Sequence, residues 1–288
     1  MPRIFAHRGS SASYAENTRA AFEQALLDGA DGIETDVHLS ADGVVVCHHD
    51  ATLGRTSNGA GAVRELSLQQ LRAFDYSSWK GVEIPAAFGT VGEQFCTLEE
   101  LVQIALRAGR ELELAIETKH QDGDDPRLEA AVLATLEALG FDPATRRLGQ
   151  VSASFMSFEP NAVDRLLELM PREGVCQLIE ESEEEWARDP LLPREHPELR
   201  PGSEEQRLFE GAAQRLLAGA AGIAGPGVDF IRANEHAARR WFERAVARIW
   251  TVDTLEDAVY LLGLGVTELT SNVPAALRAQ LDGAGALA

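Results

Sequence analysis

The sequence predicts an α/β chain closed as a (β/α)8 TIM barrel, with a small inserted subdomain after the second barrel strand. Short apolar runs alternate with segments of helical periodicity along the chain, the pattern of βα units around a parallel sheet. Eight core runs can be counted, at 3 to 7, 32 to 37, 112 to 118, 149 to 154, 175 to 179, 228 to 232, 248 to 252 and 266 to 271. The 288 residues suit one domain of this kind, since a barrel commonly takes about 250 residues and tolerates insertions.

The first run, Ile4-Phe5-Ala6, stops at His7-Arg8-Gly9, where glycine permits a sharp exit and a close approach to a ligand. Asn17 or Thr18 can cap the helix that follows, whose apolar positions Ala21, Phe22, Ala25 and Leu26 recur at helical spacing up to Gly29. In the second strand, Asp31 to Val37, Glu34 and Asp36 stand two apart, so the pleat sends both carboxylates to one face. Two such carboxylates repel unless something neutralises them, and a hard divalent cation such as Ca2+ or Mg2+ takes oxygen ligands of this type. Asp42-Gly43 is a hairpin signal, so Val44 to Cys47 should return antiparallel and carry His48, His49 and Asp50 back towards the pair.

From about residue 51 to 95 the chain is rich in Gly, Ser and Thr and too long for an ordinary connection, which marks the insertion. Its aromatic stretch, Phe74 to Trp79, is expected to form a small core of its own. Thr97 and Glu100 form a capping box ahead of the stripe Leu98, Leu101, Val102, Ala105 and Leu106. The next strand alternates Leu112, Leu114 and Ile116 against Glu111, Glu113 and Glu117, and Glu113, Glu117 and Lys119 share a face. Glu117 is thereby placed to complete a cation site with Glu34 and Asp36, and Lys119 to meet a phosphate as a point charge. Further on, an acidic, Pro- and Gly-containing excursion runs from about 180 to 227 and is most simply a solvated face, with a helix near Glu204 to Ala218. A strand at Val228 to Arg232, a helix near Glu235 to Ala247, a strand at Arg248 to Val252, a helix near Thr254 to Leu264 and a last strand at Val266 to Ser271 complete the expected alternation.

Composition limits the partners. A formal charge of -20 argues against a nucleic-acid or anionic-membrane surface, because both demand clustered Lys and Arg. Cys47, Cys96 and Cys176 are odd in number and widely spaced, so buried free thiols are the default. The apolar runs are shorter than the ~20 residues of a membrane span, and the first strand starts at once, without an apolar leader. A soluble, cytoplasmic protein without stable membrane insertion is expected; the oligomeric state is left open.

His7-Arg8-Gly9, Glu16-Asn17-Thr18, Glu34-Thr35-Asp36 and His49-Asp50 with Thr52-Leu53 and Arg55-Thr56 are ordered and densely spaced. With Glu117-Thr118-Lys119, Ser154-Phe155, Trp250-Thr251-Val252 and Thr270-Ser271-Asn272-Val273-Pro274 they cover nearly the whole chain. In this the sequence resembles the glycerophosphodiester phosphodiesterase family. Ala15 stands where the family usually has proline, and Glu268 replaces a small residue common in the last strand, altering either the barrel floor or the pocket. The resemblance implies release of sn-glycerol 3-phosphate and an alcohol from small-molecule glycerophosphodiesters such as glycerophosphocholine or glycerophosphoethanolamine.

A phosphodiester needs its oxygens neutralised, a nucleophile generated and the leaving alkoxide protonated. Glu34, Asp36 and Glu117 are expected to hold the divalent ion, with Arg8 and Lys119 on the remaining phosphate oxygens. His7 and His49 then flank phosphorus as general base and acid in an order the sequence leaves open. Trp250 offers an apolar wall for the glycerol carbons, core filling being the alternative. A lysophospholipase D-type phosphodiesterase and a non-catalytic glycerophosphodiester-binding protein are the rival readings.

Overall fold

A computed structural model describes residues 1 to 120, 125 to 179 and 204 to 285, the side chains of 204 to 209 excepted. Ten strands occur among the described residues: β1 (Arg3–Ala6), β2 (Gly32–Leu39), β3 (Val45–Cys47), β4 (Leu112–Thr118), β5 (Arg147–Leu148), β6 (Val151–Ser157), β7 (Val175–Ile179), β8 (Ile223–Pro226), β9 (Val246–Ile249) and β10 (Glu268–Ser271). Eight of them pair in parallel in the order β1-β2-β4-β6-β7-β8-β9-β10, and β10 pairs back onto β1. The barrel is therefore closed. β3 lies antiparallel on β2 with Val37 opposite Cys47, which is the hairpin that Asp42-Gly43 predicts. β5 is a short antiparallel flank of β6.

The strands are buried on both faces, as a sheet with helices outside and side chains inside requires. Thr18 caps the first helix (Arg19–Leu27), and Gly29 leaves it at φ +69°. Thr97 and Glu100 close the capping box on the helix Leu98–Leu106, with Thr97 N–H donating to Glu100 Oε2 at 2.9 Å. The stretch from 51 to 95 contains only short helical turns, and Leu53, Val63, Leu71, Tyr76 and Phe95 pack against Val46 of β3. Tyr76 and Phe95 stack with ring centroids 4.4 Å apart.

One expected strand is wrong. Val228 to Arg232 is the start of a helix (Val228–Phe242) that buries Phe230, Ile231, Ala238 and Trp241. The strand is β8, Ile223–Pro226, and the helix expected at Glu235 to Ala247 is shifted with it. Small residues hide β8 because larger ones do not fit: a Cβ on Gly225 would lie 2.6 Å from Leu178 Cδ2 and 2.7 Å from Cys176 Sγ. The strand expected at Arg248 to Val252 begins two residues earlier, and that expected at 149 to 154 is β6, Val151–Ser157. Of the acidic excursion, residues 180 to 203 lie outside the described residues, and Glu204–Ala218 is helical.

Candidate active site

Alternation along the strands sends His7, Glu34, Asp36, Glu117 and Lys119 towards the C-terminal mouth of the barrel, where catalytic groups of such barrels gather. Asp36 stands opposite Glu117 in the β2–β4 register. One oxygen from each of Glu34, Asp36 and Glu117 falls within 4.8 Å of the others, and all three residues are buried. Burial pushes the Glu34 carboxyl well above the usual range, helped by the Asp36 charge. Burial likewise lifts Glu117, to about 7, with Lys119 opposing and Asp36 assisting. Asp36 lies well below its usual range because Lys119 and Arg8 outweigh the effect of burial. Lys119 Nζ is 3.1 Å from Asp36 Oδ1 and 2.6 Å from Glu117 Oε1.

Arg8 sits in the left-handed region at φ 56°, where its backbone N–H donates to Glu34 Oε2 at 2.8 Å. Its guanidinium reaches Asp36 Oδ2 at 3.1 Å and Glu16 Oε1 at 2.8 Å. Asn17, also left-handed at φ 56°, donates to Asp36 Oδ2 at 2.8 Å and accepts from the Thr35 hydroxyl.

The two histidines differ in environment. His7 Nδ1 is 2.8 Å from Asn272 Oδ1, which also accepts from Ser11 Oγ. Asn272 Nδ2 donates to Asp253 Oδ2 at 2.7 Å, so the amide must turn its oxygen to His7, and Nδ1 must be the protonated nitrogen. Nε2 is left as an acceptor, 4.0 Å from Glu34 Oε2. Burial, reinforced by Arg8, lowers the His7 pKa to about 4. His49 Nδ1 instead lies 2.6 Å from Asp50 Oδ1, and Arg55 bridges Asp50 to Glu16. Asp50 is held far below the usual carboxylate range, the His49 and Arg55 hydrogen bonds overcoming its burial.

His48 does not join the site. The sequence expectation brought it there with His49, but its ring is buried edge-on to Tyr76 at 5.9 Å, with Nε2 3.3 Å from Thr52 O. A strand end turns successive side chains apart, so only one of two adjacent histidines can face the mouth. Glu113 shares the face of Glu117 but lies deeper, against Arg3 and Arg248. Glu268 belongs to the same floor, 2.8 Å from both Arg3 Nη1 and Arg248 Nε.

His7, Arg8, His49 and Lys119 are polar lining residues of a cavity of about 260 Å³. Its apolar lining is Met156, Phe158, Leu178 and Trp250. Trp250 is fixed edge-on to Phe158 at 5.6 Å, and its Nε1–H donates to Gly225 O at 2.8 Å. Sequence reading missed Arg248, Asp253 and the role of Asn272. Asn272 stands in a recognised motif but meets His7 from 265 residues away, and Arg248 gives no local signal.

The sequence matches the model of the glycerophosphoryl diester phosphodiesterase family over residues 7–276. A probable glycerophosphodiester phosphodiesterase 1 of Mycobacterium tuberculosis is 33% identical over 283 residues, covering 98% of this chain and 93% of that protein. The glycerophosphodiester phosphodiesterase of Bacillus subtilis is 28% identical over 272 residues, covering 93% and 83%. Among solved structures, an Oleispira antarctica phosphodiesterase in complex with the product sn-glycerol-3-phosphate superposes with a TM-score of 0.69 at 22% identity, covering 98% of this chain and 97% of that one.

Proposed function

Because the chain belongs to the glycerophosphoryl diester phosphodiesterase family, and is thus a phosphoric diester hydrolase, we propose that it cleaves small glycerophosphodiesters with His7 as base and His49 as acid. The products are sn-glycerol 3-phosphate and an alcohol, with glycerophosphocholine and glycerophosphoethanolamine as the substrates to try first. One observation carries this reading: two histidines, one hydrogen-bonded to an amide oxygen and the other to a carboxylate, line one cavity with converging carboxylates.

The carboxylate set fits a divalent cation such as Mg2+ or Ca2+. Glu34, Asp36 and Glu117 are oxygen donors that converge within 4.8 Å of one another in a buried site, and burial raises the carboxyl pKa values of Glu34 and Glu117. When bound, the cation supplies positive charge to a phosphoryl oxygen. Arg8 and Lys119 hold the remaining oxygens, and Trp250 covers the glycerol carbons. His7 Nε2 takes the proton from the substrate's 2-hydroxyl as that oxygen attacks phosphorus. His49 gives its proton to the departing alkoxide, which leaves as the alcohol. The roles then reverse: His49 takes a proton from water as water opens the cyclic phosphate, and His7 returns its proton to the 2-oxygen.

The whole chain acts as one catalytic unit in this reading, with 51 to 95 as an insertion, and it works in the cytoplasm. Among the described residues no helix is long and apolar enough to cross a membrane.

The test is glycerol 3-phosphate release from both diesters, first in EDTA and then with Mg2+, Ca2+ or Mn2+ restored. Release should stop with the chelator and return with metal, while His7→Ala and His49→Ala each lower turnover by about 10²- to 10⁴-fold without loss of fold. Full activity in either histidine variant sinks this mechanism, and silence on both diesters redirects the search to lysophospholipids or to binding alone.

A further inference from the structure

The cavity continues below the phosphate end to Thr270 and Arg248. Arg248 precedes Trp250 by two positions, so it lies about 7 Å deeper along the strand, roughly the reach of a three-carbon chain from phosphorus. The residue is 2% exposed, and its guanidinium is held on several sides. Nε donates to Glu268 Oε2 at 2.8 Å, one Nη to Ser154 Oγ at 2.7 Å and the other to Glu113 Oε1 at 2.7 Å. One face stacks on Phe5, with Cζ 4.0 Å from the ring centroid. Burial opposes its charge, but Glu113 and Glu268 outweigh burial and keep it protonated. A guanidinium carries five N–H donors. Three are engaged, and two have no partner among the described residues. Thr270, two positions beyond Glu268 on β10, lines the same cavity.

Barrel interiors at this depth are ordinarily filled by branched aliphatic side chains. A purely structural brace gains little from charge here, since well-packed hydrophobes replace buried ion networks at no loss of stability. The arrangement does suit one thing above it, a hydroxyl at the end of a short carbon chain. Resting on the phosphodiesterase reading, we propose that Arg248, assisted by Thr270, is the specificity-determining residue that receives the terminal hydroxyl of the glycerol moiety. Glu268 and Glu113 aim the guanidinium, and with Arg3 they close the barrel beneath it. An acyl chain on that hydroxyl has no path through this floor, so lysophospholipids are excluded as substrates.

The test compares glycerophosphocholine with 2-hydroxypropyl phosphocholine, which keeps the attacking 2-hydroxyl and lacks only the terminal one. With the metal-loaded wild-type protein, kcat/KM should favour glycerophosphocholine by about 10- to 100-fold, the range for a hydrogen bond to a charged group. The double variant Arg248→Met with Glu268→Gln, which strands no carboxylate, should narrow that ratio to within about threefold. Thr270→Val, which leaves the ion network whole, should narrow it partly and serves if the double variant fails to fold. Equal kcat/KM on the two diesters in the wild type, an unchanged ratio in the folded double variant, or turnover of lysophosphatidylcholine overturns the inference. Inactivity on both diesters with every metal overturns the parent reading, and this one with it.

Discussion

Arg8 occupies a backbone region that costs a non-glycine residue on the order of 1 to 3 kcal/mol, and the fold over-determines it there. Its N–H is tied to Glu34, its side chain to Asp36 and Glu16, and Gly9 follows at φ +78°, where a Cβ would lie 2.6 Å from the Ala21 carbonyl carbon. The turn thereby presents imidazole, guanidinium and backbone to one cavity. This residue set is legible in the sequence because each polar group ends an apolar run. The protonation of His7 is not legible, because Asn272 and Asp253, which fix it, lie far along the chain. Replacing Asn272 by Ala frees the His7 tautomer without touching the phosphate site. Steady-state kinetics of Asn272→Ala should show kcat down by about 10²-fold, the lower end of what a positioned base contributes, with KM changed little. A rise in KM at constant kcat would make Asn272 a substrate contact instead.

At the scale of elements, the strands that periodicity reveals are those built from large apolar residues, β1, β2, β4 and β7 among them. β8 is made of Ile223-Ala224-Gly225-Pro226, and its small residues answer to neighbours that only folding supplies. Gly222, just before it, would place a Cβ 2.4 Å from the Arg172 carbonyl oxygen and 2.7 Å from Glu173 Cα. Backbone cannot yield as a side-chain tip can. Gly222→Ala should therefore destabilise the protein by about 1 to 3 kcal/mol, seen as a Tm lower by several degrees. An unchanged Tm would mean that the approach of β8 to the turn at Arg172–Gly174 is not fixed. The apolar run Val228 to Ile231 reads as a strand when taken alone, but its continuation to Ala238 and Trp241 completes a helical face.

For the whole molecule, the closed barrel encloses charge at both of its levels, the catalytic mouth above and the Arg3–Glu113–Arg248–Glu268 floor below. Glu113 is held at about 2, because Arg248 and Arg3 overcome the effect of its burial. A carboxylate depressed on folding stabilises the native state above its unfolded value near 4.5, and that contribution is lost as pH falls towards 2. It amounts to on the order of 3 kcal/mol. Thermal melts should show Glu113→Gln losing less stability than the wild type over that interval, and parallel curves would remove the assignment. The overall charge of -20 opposes an anionic substrate at long range, so on the proposed function capture falls to Arg8 and Lys119 inside the cavity. By itself the sequence determined the barrel class, the βα rhythm and the polar groups at strand ends, because periodicity and chain-local turns are properties of neighbouring residues. Tertiary structure alone decided the place of β8, the exclusion of His48, the proton on His7 and the ion-paired floor that Glu268 completes. The first two depend on packing against neighbouring elements, and the last two on contacts that exist only once the first and last strands of the barrel have met.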